Sequence, residues 1–392
     1  MDVVFNHTYR RDDSNLQKIV PGYYYRSDET GYTNGSGCGN EVASDRPMVQ
    51  KLIVDSLIYW AKEYHIDGFR FDLMGVLDID TMNVIAERLK EIRPDIYLYG
   101  EGWNGGPSSL AEEKRAFKAS AKKMPGIGMF NDDIRDTIKG SVFYDDHLGF
   151  VNGGTHLENA LRYGITGAVA HPQVDYDAYG SKPWAKEPGQ SINYVSCHDN
   201  YTLWDKLSVS CPEASEEKKK AMNRLCAAIV FTSQGVPFIQ AGEEFLRSKP
   251  LPEKKGFAEN SYNMPDAVNS IKWDNIHEYP DMIAYYKGLM ALRKAHPVFR
   301  MQSEAEMTQN LCFLSDTPEN VVAYLLKGKG ADDTPENILV IFNGNDEEIL
   351  YNLPEGKWKI LVDDKTAGAD GKKIISAKAD VEPLSALVLE KE

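Results

Sequence analysis

Three short apolar runs in the sequence stop at an acid: "FRFD" at Asp72, "LYGE" at Glu101 and "SCHD" at Asp199. Two carboxylates about 5–5.5 Å apart are the equipment of a retaining glycosidase, one as nucleophile and the other as acid and then base. The two roles need different surroundings. A nucleophile must stay ionised, and Arg70, two residues before Asp72 in an extended run, projects to the same side and can hold it so. An acid must keep its proton near neutral pH, which asks for a less polar setting. Trp103, two residues past Glu101, can supply one. Taken singly, an acid at the start of a loop reads better as a helix N-cap. Three at successive strand ends, with Arg70, His7 and His198 beside them, point to a reaction centre.

The elements that must position these groups follow an alternating pattern. "DVVF" reads as a strand end leading to the polar cluster Asn6, His7, Thr8. "MVQKLIVDSLIYWAKEY" is a helix with Leu52, Ile53, Leu57, Trp60 and Tyr64 expected on its core face. "IDGFRFD" is a strand, "DIDTMNVIAERLKEIRP" a helix stopped by Pro94, and "IYLYGEGW" the next strand. "GIGMFND", "INYVSCHDN" and "VPFIQAGEE" are further strands, and "EEKKKAMNRLCAAIVFTSQ" and "YPDMIAYYKGLMALRKAHP" further helices. Alternating strands and helices mean a parallel sheet covered by helices, with polar residues at the strand C-termini: His7, Asp72, Glu101, Asp199 and Glu243. A (β/α)₈ barrel gathers catalytic groups at that edge. Past residue 300 the texture becomes short strands between Gly, Asn, Asp and Pro turns, as in an antiparallel β-sandwich. The expected organisation is residues 1–300 as an α/β barrel portion and 301–392 as a C-terminal all-β domain.

Composition narrows the partners. The net charge of −15 lacks the basic surface that nucleic acid or an anionic membrane requires. No run of 18 apolar residues suggests a membrane span. The five scattered cysteines show no CxxC spacing and read as free thiols without a zinc site, which leans toward the cytoplasm while leaving the compartment open. Twenty-one tyrosines and six tryptophans suit a surface that stacks on sugar rings.

"DVVFNH", "GFRFD", "YGEGW" and "VSCHDN" occur in the order of the four signature regions of glycoside hydrolase family 13, the α-amylase superfamily, which the chain resembles over essentially its whole length. "GEGW", "KIVPGYYYR", "NGSGCGNEVASDR", "IQAGEEFLRSK" and "NSYNMPDAVNSIKW" are similar to the type I pullulanase branch, which hydrolyses α-1,6 branch bonds in pullulan and limit dextrins. The resemblance implies Asp72 as nucleophile, Glu101 as acid/base and Asp199 as the residue that binds and distorts the sugar before the cleaved bond. It implies His7 and His198 on hydroxyls of that sugar and Arg70 orienting Asp72. Trp103 would stack on the substrate, and Asn263 and Asp266 would line the donor side. It requires no cofactor for the chemistry, and structural calcium is a further expectation. The partner implied is an α-glucan. In the family "DVVFNH" ends the third barrel strand, so the first two βα units are absent here and about six barrel strands remain. The resemblance therefore implies the C-terminal portion of a longer enzyme, with the N-terminal portion as its partner and weak activity alone. A non-catalytic glucan-binding protein and an isoamylase-like enzyme are the alternatives.

Overall fold

A computed structural model describes residues 1–392 apart from 180, 253, 332, 334 and 372. The chain packs as two compact units: Met1–Phe130 with Trp184–Ser191, and Asn131–Pro183 with Ile192–Glu392.

The first unit is built on four parallel strands: β1 (Asp2–Val3), β2 (Gly68–Phe71), β3 (Tyr97–Gly100) and β4 (Ile127–Phe130). Asp2 pairs with Arg70, Gly68 with Tyr97 and Leu98 with Ile127, so the strands lie in chain order. β2 and β4 read as near-continuous apolar runs because a parallel sheet is covered on both faces. The crossover from β1 to β2 carries α1 (Pro47–Glu63), which opens on Pro47 at its first turn, where a missing N–H costs nothing. Its buried row is Val49, Ile53, Val54, Leu57 and Ala61. This corrects the expected core face: Leu52 and Tyr64 are exposed. Tyr59, Trp60 and Tyr64 instead pack on one another outside, with Trp60 and Tyr64 ring centroids 4.6 Å apart. The bulkiest side chains misled the reading, because they shield each other rather than the core. α2 (Ile79–Lys90) is capped by Asp78, whose carboxylate accepts from Thr81 N at 2.8 Å. It ends four residues before Pro94.

Another parallel pair is β5 (Ser191–Asn193), which enters the second unit at Ile192, and β6 (Val236–Pro237), in register at Ile192 with Val236. Among the described residues, four strands of the first unit and two of the second run parallel within their groups, six in all, the number read from the sequence and two short of the eight that close a barrel. The second unit's helices include α3 (Asp132–Lys139), α4 (Leu203–Ser210), α5 (Glu216–Thr232) and α6 (Pro280–Ala295).

The C-terminal strands are β7 (Leu311–Phe313), β8 (Val321–Lys327), β9 (Asn337–Asn343), β10 (Ile349–Val362), β11 (Ile374–Val381) and β12 (Ser385–Lys391). They form one antiparallel sheet in the order β11-β10-β12-β9-β8-β7, so the expected antiparallel domain is a single hydrogen-bonded ladder rather than two. Alternate residues of five strands, among them Ala323, Ile341, Trp358, Val381 and Leu389, gather on one face as an apolar core. β7 and β11 were not anticipated. β11 shows only one buried pair, Ala379 and Val381, in an otherwise polar run, which leaves a weak strand signal. No helix among the described residues is long and apolar enough to cross a membrane.

Candidate active site

In the first unit β2 delivers Arg70 and Asp72 and β3 delivers Glu101. Arg70 is almost fully buried and its guanidinium bridges the two acids. Nη1 donates to Asp72 Oδ1 at 2.9 Å and Nη2 to Glu101 Oε1 at 2.7 Å. Nη1 also meets Asp2 Oδ1 at 3.0 Å. Burial alone would disfavour the cation, but the charges of Glu101 and Asp2 and the bond to Asp72 outweigh it, so Arg70 is held above its ordinary value.

Glu101 sits between two glycines for a steric reason. A Cβ at Gly100 would lie 2.5 Å from Phe71 O, and one at Gly102 would lie 2.7 Å from Lys118 N. The "GEG" triplet thus lets the backbone thread between β2 and the 116–120 segment while Glu101 turns to Arg70. Glu101 Oε2 accepts from the Leu73 amide at 2.8 Å. Leu73 reaches that position through a left-handed backbone (φ 38°, ψ 51°), an unusual state for a branched residue. The setting expected for Glu101 is therefore more polar than Trp103 alone suggested. Trp103 is half-buried and its ring lies against Phe130 at 6.5 Å. Arg70 in turn stands 5.9 Å over the Phe130 ring.

Asn6 is the functional side chain that sequence reasoning left unassigned. It is fully buried. Its Nδ2 donates to Asp72 Oδ2 at 2.9 Å and to Asp72 O at 2.8 Å, and its Oδ1 faces His7 Nδ1 at 2.6 Å. Both Nδ2 contacts are acceptors, so Oδ1 is the end that meets the ring and His7 Nδ1 carries the proton. That leaves Nε2 of a neutral His7 as the acceptor. One amide thus aligns the nucleophile candidate and the histidine. The adjacency of Asn6 and His7 at a strand end was the signal.

In the second unit His198 and Asp199 sit side by side on an exposed tip, His198 Nε2 lying 3.7 Å from Asp199 Oδ1. The tip, residues 197–201, begins four residues past the end of β5 at Asn193. Asn200 follows Asp199 with φ 60°, a left-handed state that asparagine adopts readily. Thr202 then caps α4 by accepting from Asp205 N at 3.1 Å. Asn263 is exposed on a separate loop, and Asp266, also exposed, opens the one-turn helix Asp266–Asn269 that follows it. That loop is stapled by Asn269, whose Nδ2 donates to Ser261 O at 2.6 Å and Met264 O at 3.0 Å. Lys249 joins it to α4: its Nζ donates to Ser261 Oγ at 2.7 Å and its backbone N to Asp205 Oδ2 at 2.8 Å. The structure thus brings Arg70, Asp72, Glu101 and, through Asn6, His7 together. His198 and Asp199 form a second group, and Asn263 and Asp266 a third.

All five cysteines are free thiols. Among the described residues no group of three or more His, Cys, Asp or Glu side chains is placed to hold a metal ion.

A strand-end acid pair bridged by one arginine, on a parallel α/β frame followed by an antiparallel domain, defines a class, and comparison with known proteins agrees. Residues 308–366 match the family description "Pullulanase, all-beta domain". The pullulanase of Bacillus subtilis (strain 168) is 41% identical over 365 residues, 93% of this chain and 49% of that protein. The solved pullulanase from Bacillus acidopullulyticus superposes with a TM-score of 0.92 at 42% identity, over 100% of this chain and 46% of that one. A pullulanase from Paenibacillus barengoltzii, in complex with maltohexaose and α-cyclodextrin, gives 0.90 at 42% identity, over 100% and 58%. Over its whole length the chain is similar to pullulanases, as the resemblance to glycoside hydrolase family 13, the α-amylase superfamily, implied. It is a homologue of the type I pullulanases. It spans about half the length of the curated relatives it matches.

Proposed function

We propose that this chain carries the reaction centre of an α-1,6-glucan debranching hydrolase acting on pullulan and related branched α-glucans by retaining double displacement. The observation that carries the reading is the arginine bridge between Asp72 and Glu101. One guanidinium on both carboxylates supports the compact spacing of a retaining enzyme over the about 6.5–9.5 Å of an inverting one. It also offsets the repulsion of two close acids.

In this reading Asp72 attacks the anomeric carbon and displaces O6 of the branch, while Glu101 gives that oxygen its proton. Glu101 then takes a proton from water, which attacks the same carbon from the face the leaving group vacated and releases Asp72. Arg70 and Asn6 hold Asp72 aimed, one from each carboxylate oxygen. His7 accepts from a sugar hydroxyl through Nε2. His198 and Asp199 hold and distort a sugar ring, Trp103 offers a stacking face, and Asn263 and Asp266 bind the glucan on the donor side. The relatives solved with maltooligosaccharides support a glucan as the ligand class.

Incubating the purified chain with pullulan, and separately with linear amylose, tests the reading. Maltotriose from pullulan with amylose untouched is the expected result. Binding to both without products would instead make the chain a glucan-binding scaffold.

A further inference from the structure

Glu243 is a buried acid that the proposed reaction does not use. It lies in a short turn, Glu243–Phe245, six residues past β6, and is 3% exposed. Both of its oxygens are taken by hydroxyls: Ser196 Oγ donates to Oε2 at 2.6 Å, and Tyr286 OH lies 3.2 Å from Oε1. Tyr286 OH also lies 2.9 Å from Asn223 Oδ1, and a phenol has one proton to share between those two acceptors.

The place of Ser196 gives this network its meaning. The segment leaving β5 is pinned at successive points. Asn193 O accepts from Phe238 N at 2.8 Å, and the Tyr194 hydroxyl accepts from Arg135 Nη1 at 2.8 Å. Ser196, 2% exposed, is the last buried anchor before His198 and Asp199, which are more than half exposed. The next anchor is the Thr202 cap. The tip from 197 to 201 therefore hangs between Ser196 and Thr202.

We propose that Glu243 is a positioning residue: by gripping Ser196 Oγ it fixes the angle at which the 197–201 tip presents His198 and Asp199. What His198 and Asp199 do once presented rests on the debranching reading; how they are held does not. The ionised form grips best, because a charge-assisted bond is shorter and stronger than a neutral one. Burial raises the Glu243 carboxyl to about 7 against the bonds from Ser196 and Tyr286 and the charge of Lys139. The other titratable groups around it are Cys226 on α5, Tyr286 on α6 and Glu244 beside it. Cys226 and Tyr286 are both pushed well above their ordinary values by burial, so neither competes for the proton near neutral pH. The tip is therefore held more firmly above pH 7 than below it.

Cys197, next to Ser196, reports on the tip without any glucan. Iodoacetamide labelling of the full chain at pH 8, followed peptide by peptide by mass spectrometry, is compared for wild type, Ser196→Ala, Glu243→Gln and the double variant. Each single change is expected to speed Cys197 labelling about tenfold, the loss of one hydrogen bond to a charged group. Cys211 and Cys312 should keep their rates, and the double variant should react no faster than the faster single. An unchanged Cys197 rate, a general rise at all three cysteines, or additive effects overturns the proposal. Should Glu243→Gln not fold, Ser196→Ala decides by the same criteria. A second readout is the ¹³C shift of the His198 ring, assigned with His198→Gln. It should show an added inflection near pH 7 that Glu243→Gln abolishes; a single inflection in wild type overturns the pH link. The pullulan assay is scored separately: pullulan cleavage with unmoved Cys197 rates sinks the positioning role alone. A labelling change in a chain that leaves pullulan intact sinks the debranching reading alone.

Discussion

Asp72 is one-quarter exposed, with Arg70 on one oxygen and Asn6 on the other. Asp199 is half-exposed, with one histidine 3.7 Å away and its nearest buried anchor three residues back. Both are acids at the end of a parallel strand, yet the first is clamped by a buried cation and an amide. The second is steadied at a distance by a buried carboxyl and two hydroxyls. On the debranching reading proposed above, the contrast follows the chemistry of each acid. A nucleophile must be ionised and aimed before substrate arrives, so its charge is fixed by direct contact. A group that grips and bends a sugar must meet hydroxyls, so it is left open to them and only its backbone is held. The first arrangement spends desolvation on one arginine shared by three acids, and the second avoids a buried ion pair altogether.

The deepest way to test the contrast is to remove the clamped acid. Asp72→Asn is expected to lower kcat on pullulan about 10⁴-fold or more, with KM little changed. Asp199→Asn should lower kcat less; an equal loss would erase the distinction between reacting and gripping acids. Next in size is the shared cation. Arg70→Met leaves Glu101 buried without its bridge and should cost about 3–5 kcal/mol in urea unfolding, whether or not the chain is active. A loss below about 1 kcal/mol would mean the bridge is no stronger than a surface pair.

The hydroxyl-steadied region is tested by pH. The folded-state value for Glu243 of about 7 lies above its ordinary 4.5, so the native chain keeps a proton there that the unfolded chain has lost. Stability from this group is therefore highest below about pH 4.5 and falls as pH rises to about 7. The full cost is about 3 kcal/mol above that. Glu243→Gln should remove that part of the decline, seen as a smaller difference between urea midpoints at pH 5 and pH 8. A parallel decline in both proteins would place the proton elsewhere. The smallest expected effect is at Asn6. Asn6→Ala should cost about 1–2 kcal/mol and lower kcat about tenfold, while the His7 ring loses its preference for the Nδ1-protonated form in ¹⁵N spectra. An unchanged tautomer would show that His7 is set by something other than Asn6.

Much of this frame was readable because a parallel strand writes itself twice, as an apolar run and as the acid that ends it. "GFRFD" and "LYGE" give both strand and site residue, and the Arg70–Asp72 pairing follows from the two-residue period of a strand. What escaped depends on contacts across the chain. The core face of α1 was misjudged because Trp60 and Tyr64 satisfy each other outside the core. Asn6 looked like one polar residue in a cluster; its partner Asp72 is 66 positions away. The staple role of Asn269 and the grip of Glu243 on Ser196 are likewise side-chain bonds that no local pattern encodes. The surroundings of Glu101 were read incompletely for a related reason: Trp103 is its neighbour in sequence, but Arg70 and the Leu73 amide are its neighbours in space.

Each of the two strand-end aspartates is followed by a left-handed residue, Leu73 after Asp72 and Asn200 after Asp199. The geometry is similar but the tolerance to drift is not. Asparagine occupies that conformation at little cost, so position 200 can exchange with Asp or Gly almost silently. Leucine there gives up on the order of 1–2 kcal/mol to aim one amide at Glu101. A selection for heat resistance that ignored turnover would favour relaxing position 73. The survivors would be sturdier proteins whose Glu101 is less well aimed.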